Sequence, residues 1–196
     1  LKVLTSQFPD KPKEEIRILD IGTGPGFFPV ILAEAGYHVD AVDYTEGMLE
    51  KAKENAGDLC RNIRFLRMDA QKLDFEDNTF DVVISRNLTW NLEHPDVAYR
   101  EWVRVLKVGG RLLNFDANWY GYLYEEEQRK AYENDRKNVE NNSLDDHYLC
   151  TDIERMERIA LQVPLSKISR PQWDVKTLRE AGLLGIRTDT EIWKTV

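Results

Sequence analysis

Three aspartates and three glycines carry the chemistry that this sequence can offer. Asp20, Asp43 and Asp69 each close a short apolar run, and Gly22, Gly24 and Gly26 occupy alternate positions directly after the first of them. A carboxylate at the end of a buried run is costly unless something donates hydrogen bonds to it, so each acid needs a reason to be where it is. Alternate glycines permit positive φ and let a ligand lie against bare backbone. The helix expected after the loop adds free N–H groups that suit a negatively charged group.

The elements that must position these residues can be read from the same stretches. Ile16, Ile18, Leu19 and Ile21 form a short, mostly β-branched run, the pattern of a strand covered on both faces in a parallel sheet. Phe27 to Ala35 reads as a helix closed by Gly36. A second strand over 36–43 ends at Asp43, and a third over 63–70 ends with Asp69 and Ala70. This alternation predicts an α/β fold, a doubly wound, mostly parallel, Rossmann-like sheet, with the three acids along one edge. Open α/β sheets bind their ligands at that edge, and an acid closing the second strand there reaches the ribose hydroxyls of a nucleoside.

Leu19-Asp20-Ile21-Gly22-Thr23-Gly24-Pro25-Gly26, then Val42-Asp43 with Met48, then Met68-Asp69-Ala70 resemble the first three motifs of the class I S-adenosylmethionine-dependent methyltransferases. Phe80 to Ser85 and Val105 to Leu112 resemble that family's fourth-strand and fifth-strand signatures, so the likeness runs from about Ile16 to Asn118. It implies S-adenosylmethionine as cofactor, S-adenosylhomocysteine as product and no metal. It assigns the cofactor to Asp20, Gly22, Thr23, Gly24, Gly26, Asp43, Tyr44, Met48, Asp69, Ala70, Arg86 and Asn87. In this assignment the glycine-loop backbone packs on the methionine portion and Asp20 accepts from its amino group. Asp43 takes both ribose hydroxyls, Met48 packs on the adenine, and Asp69 with the Ala70 backbone reads the adenine edge. The family also has an N-terminal segment over the cofactor and a seventh strand antiparallel to the sixth. With the sixth strand expected over 186–193 and Val196 the last residue, the chain is either shortened or departs from that pattern.

The fourth strand, 80–85, should deliver the loop Arg86 to His94 to the ligand edge, where Trp90 and Asn91 are candidates for contact with an acceptor. Pro95 opens a helix with Ala98, Trp102, Val105 and Leu106 on its core face. Gly109-Gly110 is expected to turn the chain into a fifth strand, 111–116, which brings Asn118, Trp119 and Tyr120 to the same edge. Residues 119–172 then read as a helical insertion, a lid within a single domain spanning 1–196, with helices over 125–139 and 151–161. Asp174 is expected to cap a last helix.

Methyl transfer from a sulfonium is an in-line displacement, and holding nucleophile, methyl and sulfur in line supplies much of the rate. If the nucleophile is a hydroxyl or an ammonium a base is useful, and His94, Asp116 and His147 are the candidates. The expected acceptor is an oxygen or nitrogen of a small molecule. A net charge of −8 argues against a nucleic-acid partner. No apolar run is long enough to span a membrane and no signal peptide opens the chain, which predicts a cytoplasmic protein without a membrane partner. Cys60 and Cys150 read as unpaired thiols, and oligomeric state is not encoded legibly. Two other readings share parts of the pattern. A non-catalytic protein that binds S-adenosylmethionine or S-adenosylhomocysteine would need the same cofactor motifs. A nicotinamide-dependent oxidoreductase would need its third glycine one place later, where Phe27 stands, and would leave Asp20 and Asp69 without a duty.

Overall fold

The computed structural model describes residues 1–141 and 152–192. Five strands form one parallel sheet: β1 (Ile18–Ile21), β2 (Val39–Asp43), β3 (Ile63–Arg67), β4 (Phe80–Arg86) and β5 (Leu106–Phe115), in the order β3-β2-β1-β4-β5. The order reverses at β1, so β1 lies between β2 and β4, with Ile21 opposite both Val42 and Ser85. That reversal opens a crevice at the carboxyl end of β1, directly over the glycine loop.

Every residue of β1 is buried, as its apolar run predicts, and the two-residue period sends alternate side chains to two cores. Leu19 and Ile21 join Val42, Val83, Tyr99 and Trp102 on one face. Ile18 joins Phe28, Leu32, Val82 and Ile84 on the other. Helix α1 (Lys2–Thr5) closes the second core through the buried Leu4. Helix α2 (Phe27–Glu34) supplies Phe28 and Leu32 to that core, and α3 (Glu46–Ala56) begins after Thr45 at its N-cap position. Helix α4 (Pro95–Val105) buries Ala98, Tyr99, Trp102 and Val105 against the opposite face. After β5 come α5 (Glu126–Asn141), α6 (Ile153–Ala160) and α7 (Gln172–Glu180). Among the described residues no helix is long and apolar enough to cross a membrane.

Four expectations are corrected. Strand β3 ends at Arg67, so Asp69 lies beyond it, in a turn where its carboxylate accepts from the Gln71 N–H at 2.8 Å. Gly109 and Gly110 do not precede the fifth strand but lie within it. Phe80 pairs with Leu106 and Val82 with Arg111, so the intervening residues bulge outward, with Val108 exposed and Gly109 at φ +80°. Asp174 is not the cap of α7, because Pro171 holds that place and Asp174 sits in the first turn, bonded to Arg170 and Tyr99. Residues 186–191 form no strand. Leu183 and Ile186 reach the core, but 187–191 are exposed and offer no apolar face for a sheet edge to bury.

At the amino end of the sheet, away from the crevice, Asp81 is held by Lys11 and Lys107, both at 2.7 Å, and by the Arg17 N–H. Burial opposes its charge, but the lysines and the backbone donor prevail and hold its pKa down at about 2.

Candidate active site

The crevice is assembled from the carboxyl ends of four strands. The β1 carboxylate, Asp20, is 2% exposed. Burial raises its pKa to about 7; the Thr23 hydroxyl beside it pulls downward, and the nearby charge of Asp43 pushes it further up. The carboxyl is therefore close to half protonated near neutrality, poised to ionise when a cation or a strong donor reaches it.

Asp43, at the end of β2, is tied to the glycine loop. Its Oδ2 accepts from the Gly24 N–H at 2.9 Å, and its Oδ1 accepts from the Thr45 N–H at 2.9 Å, at the start of α3. Each carboxylate oxygen keeps a second lone pair, so both can take a further donor. The loop is pinned from the other side, where the N–H groups of Gly22 and Thr23 both donate to the Val42 carbonyl, at 2.9 and 3.0 Å. Gly24 has φ +53° and nothing within 4 Å of where a Cβ would stand, so its surface is open to a ligand. Gly26 is different. Its φ is +89°, and a Cβ there would lie 3.1–3.2 Å from Ala52, so this glycine serves the packing of α2 on α3.

Around this frame, Tyr44 and Met48 are exposed. Arg67 lies over the Tyr44 ring, with the guanidinium 5.9 Å from its centre. Ala70 is buried, and its carbonyl accepts from the Trp102 indole at 2.9 Å, which fixes the segment carrying Asp69. Arg86, at the end of β4, stacks 4.7 Å over the exposed ring of Phe27 in the first turn of α2. Asn87 follows with φ +54°, and its N–H donates to the Phe115 carbonyl at 2.9 Å. Thus Asp20, the glycine loop, Asp43, Tyr44, Met48, Asp69, Ala70, Arg86 and Asn87 are all set along one edge by the ends of β1 to β4.

The acceptor-side candidates divide. Trp90 and Tyr120 pack together, ring centres 5.4 Å apart, and the Trp90 indole donates to the Asn87 carbonyl at 3.0 Å. Asn118 begins the turn that carries Tyr120, its carbonyl accepting from the Gly121 N–H at 3.2 Å. Trp119 is exposed. Asn91 closes the short turn that begins at Thr89. The aromatic contact continues from Tyr120 to Tyr122 and from Tyr122 to Tyr132 of α5, the last pair stacked at 4.1 Å.

Of the three proposed bases, two have clear places and the third, His147, lies outside the described residues, as does Cys150. His94 is at the N-cap position of α4, its side chain 61% exposed beside Glu93. It lines a groove of about 460 Å³ between α4 and α7, together with Trp173 and Lys176. Asp116 directly follows β5, its side chain 2% exposed; it accepts from the Thr89 hydroxyl and from the N–H groups of Trp90 (3.0 Å) and Ala117 (2.9 Å), and it forms an ion pair with Arg170 at 3.0 Å.

Sequence reasoning missed Arg170, Thr89, Asn114 and the partnership of Tyr99 with Asp174. Arg170 and Asp174 are four residues apart, a pairing spacing, but the contacts to Thr89, Tyr99 and Asp116 join residues up to 81 positions apart and leave no local signal.

Residues 19–114 match the family described as methyltransferase domain. This segment of the chain is similar to a methyltransferase domain. S-adenosylmethionine is the methyl donor that this family implies. It is 41% identical over 98 residues to a demethylmenaquinone methyltransferase of Clavibacter sepedonicus, covering 50% of this chain and 39% of the relative. It is 41% identical over 103 residues to a ubiquinone/menaquinone biosynthesis C-methyltransferase of Pseudomonas entomophila, covering 50% and 40%. The chain thus spans about 40% of the length of these curated relatives. Among solved structures, a putative methyltransferase of Bacillus halodurans superposes with a TM-score of 0.62 at 23% identity, over 92% of this chain and 67% of that one. This last likeness concerns the fold, and its coverage extends past β5 into the helices that follow.

Proposed function

We propose that this protein transfers the methyl group of S-adenosylmethionine to a small-molecule acceptor by in-line displacement. The observation that supports the reading is the Gly24–Asp43 hydrogen bond beside the buried Asp20: two carboxylates and an open stretch of backbone lie together, as a ribose, an ammonium and a close-packed ligand would need. In this reading Asp20 ionises against the amino group of the methionine portion and Asp43 takes the two ribose hydroxyls on its remaining lone pairs. Met48 and Tyr44 flank the adenine, Asp69 accepts from its exocyclic amine, and Arg86 with Asn87 borders the methionine end. Trp90, Asn91, Asn118, Trp119 and Tyr120 face the acceptor, and residues 119–172, of which 142–151 lie outside the described residues, act as a lid over it.

The bound cofactor supplies an electrophilic methyl on a sulfonium. The protein's part is to exclude water and align the acceptor, with no requirement for a strong base from Asp116. The acceptor atom is an oxygen, a nitrogen or, as in the C-methyltransferase among the relatives, a carbon. The likeness to those relatives covers the cofactor half, so their names do not fix the acceptor here.

Calorimetric titration with S-adenosylmethionine and S-adenosylhomocysteine, followed by mass-spectrometric search for methylated products in a panel of hydroquinones, phenols and amines, tests the reading. Micromolar binding and one methylated product support it. Absence of binding to either cofactor form refutes it, and binding with no product from a broad panel favours the non-catalytic alternative.

A further inference from the structure

Between the end of β5, the loop after β4 and the start of α7 lies a buried polar cluster that cofactor binding does not use. Arg170, with a side chain 7% exposed, is at its centre. Its Nε and Nη2 grip Asp174 in bidentate fashion at 2.9 and 2.6 Å, its Nη2 also donates to the Thr89 hydroxyl at 2.9 Å, and its Nη1 meets Asp116 at 3.0 Å. Tyr99 donates to Asp174, and Asn114 donates to the Tyr99 oxygen at 2.9 Å. Burial works against the Arg170 charge, but the bonds to Asp174 and the charge of Asp116 outweigh it and keep the guanidinium ionised. A planar fork with several fixed donors can bridge two carboxylates and a hydroxyl at once, which an ammonium cannot.

What the cluster holds is specific. Asp116 accepts the Trp90 N–H at 3.0 Å, and Trp90 packs on Tyr120. Thr89, the residue before Trp90, is bound by both Arg170 and Asp116. Arg170 therefore reaches Trp90 both through Asp116 and through the neighbouring Thr89, which are themselves bonded to each other. We propose that Arg170 is a positioning residue of the acceptor side: by clamping Asp116 and Thr89 to α7, it sets the Trp90–Tyr120 pair against which the acceptor is held. The role rests on the methyl-transfer reading above. It assigns Asp116 to the clamp rather than to proton transfer, and it couples the far C-terminal helix to acceptor placement while leaving the cofactor contacts of β1 to β3 alone.

The test uses the full chain labelled with 5-fluorotryptophan, the Trp90 resonance being assigned by Trp90→Phe. Arg170→Lys retains the charge and loses the fork, and Arg170→Ala opens a space that added ethylguanidinium can refill. The expected result is that the Trp90 resonance shifts and broadens in both variants and returns toward its original position when ethylguanidinium is added to Arg170→Ala. Affinity for S-adenosylhomocysteine is expected to stay within twofold of wild type in Arg170→Lys. An unmoved Trp90 resonance in folded Arg170→Lys overturns the proposal, as does a loss of cofactor affinity greater than twofold in that variant. If Arg170→Ala does not fold, Arg170→Lys decides alone. The fluorine spectra need no ligand, so failure of the clamp is told apart from failure of the methyl-transfer reading, which would show as no affinity for S-adenosylhomocysteine in the wild type and would remove the acceptor role with it.

Discussion

The Gly24 amide donates to the Asp43 carboxylate at 2.9 Å, so the acid that closes β2 also shapes the loop that follows β1. A ligand that bonds to Asp43 therefore meets a loop already folded around the same carboxylate, and little ordering cost falls on binding. Replacement of Asp43 acts twice, on the contact and on the loop.

Asp43→Ala is expected to weaken S-adenosylhomocysteine binding by about 2 kcal/mol or more, the loss for two charge-assisted hydrogen bonds. Asp43→Glu, which keeps the charge but displaces it, is expected to recover only part of this. Titration calorimetry on both variants checks the claim, and an affinity equal to wild type in Asp43→Ala would remove Asp43 from the site.

Asp20 predicts a pH dependence of binding. Its pKa is raised from 3.8 to about 7, chiefly by burial, so it is largely protonated at pH 6 and must lose that proton to face an ammonium. Affinity is expected to rise from pH 6 to pH 7 and level off above, by roughly tenfold per unit at most over the rising limb. Titrations at pH 6 in two buffers of different ionisation enthalpy are expected to reveal proton release on binding; equal heats in both would contradict it. The stability sign is the reverse. A carboxyl with a raised folded-state pKa contributes fully below pH 4, and that contribution is lost as pH climbs from 4 through 7. Asp20→Asn is thus expected to gain in melting temperature relative to wild type over the same range.

The two glycines 24 and 26 are expected to fail differently when replaced. Gly24→Ala has open space but a φ of +53°, so stability falls by about 1 kcal/mol while a methyl group intrudes where the cofactor would lie. Gly26→Ala combines φ +89° with a Cβ pressed on Ala52, and is expected to cost about 2–3 kcal/mol of stability. Paired melting and binding measurements separate them. Loss of binding with a near-normal melt belongs to Gly24, and the reverse pattern would invert the assignment.

Asp81 anchors the amino end of the sheet to Lys11 and Lys107. Its pKa is lowered to about 2, so its contribution is present above pH 4 and is lost as pH falls from 4 toward 2. Both lysines are partly exposed, which screens the pairs, and Asp81→Asn is expected to cost about 1–2 kcal/mol at pH 7 and much less at pH 3. Denaturant melts at the two values check it, and an equal loss at both would show that packing rather than charge is responsible.

What the sequence by itself determined is the glycine-loop side of the crevice. A strand, a glycine loop and a helix within some twenty residues are read from apolar period and glycine spacing, and the acids Asp20, Asp43 and Asp69 are legible because each closes its own local run. Even there, local pattern overreached at boundaries, placing Asp69 inside β3 and Gly109-Gly110 ahead of β5, since strand ends and bulges are set by the neighbouring strand's register. The sixth strand failed for the same reason: residues 186–191 look extended, but a strand exists only where a partner's hydrogen bonds and a buried face receive it. The tertiary structure alone decided the polar cluster around Arg170. Asp116 reads as a candidate base until Arg170 is folded against it, and Arg170 gains its place only when Thr89 and Asp116 join Asp174 around it. The contacts of Arg170 to Thr89 and Asp116 join distant parts of the chain, and a side chain's partner across that distance leaves no period or spacing in the sequence to betray it.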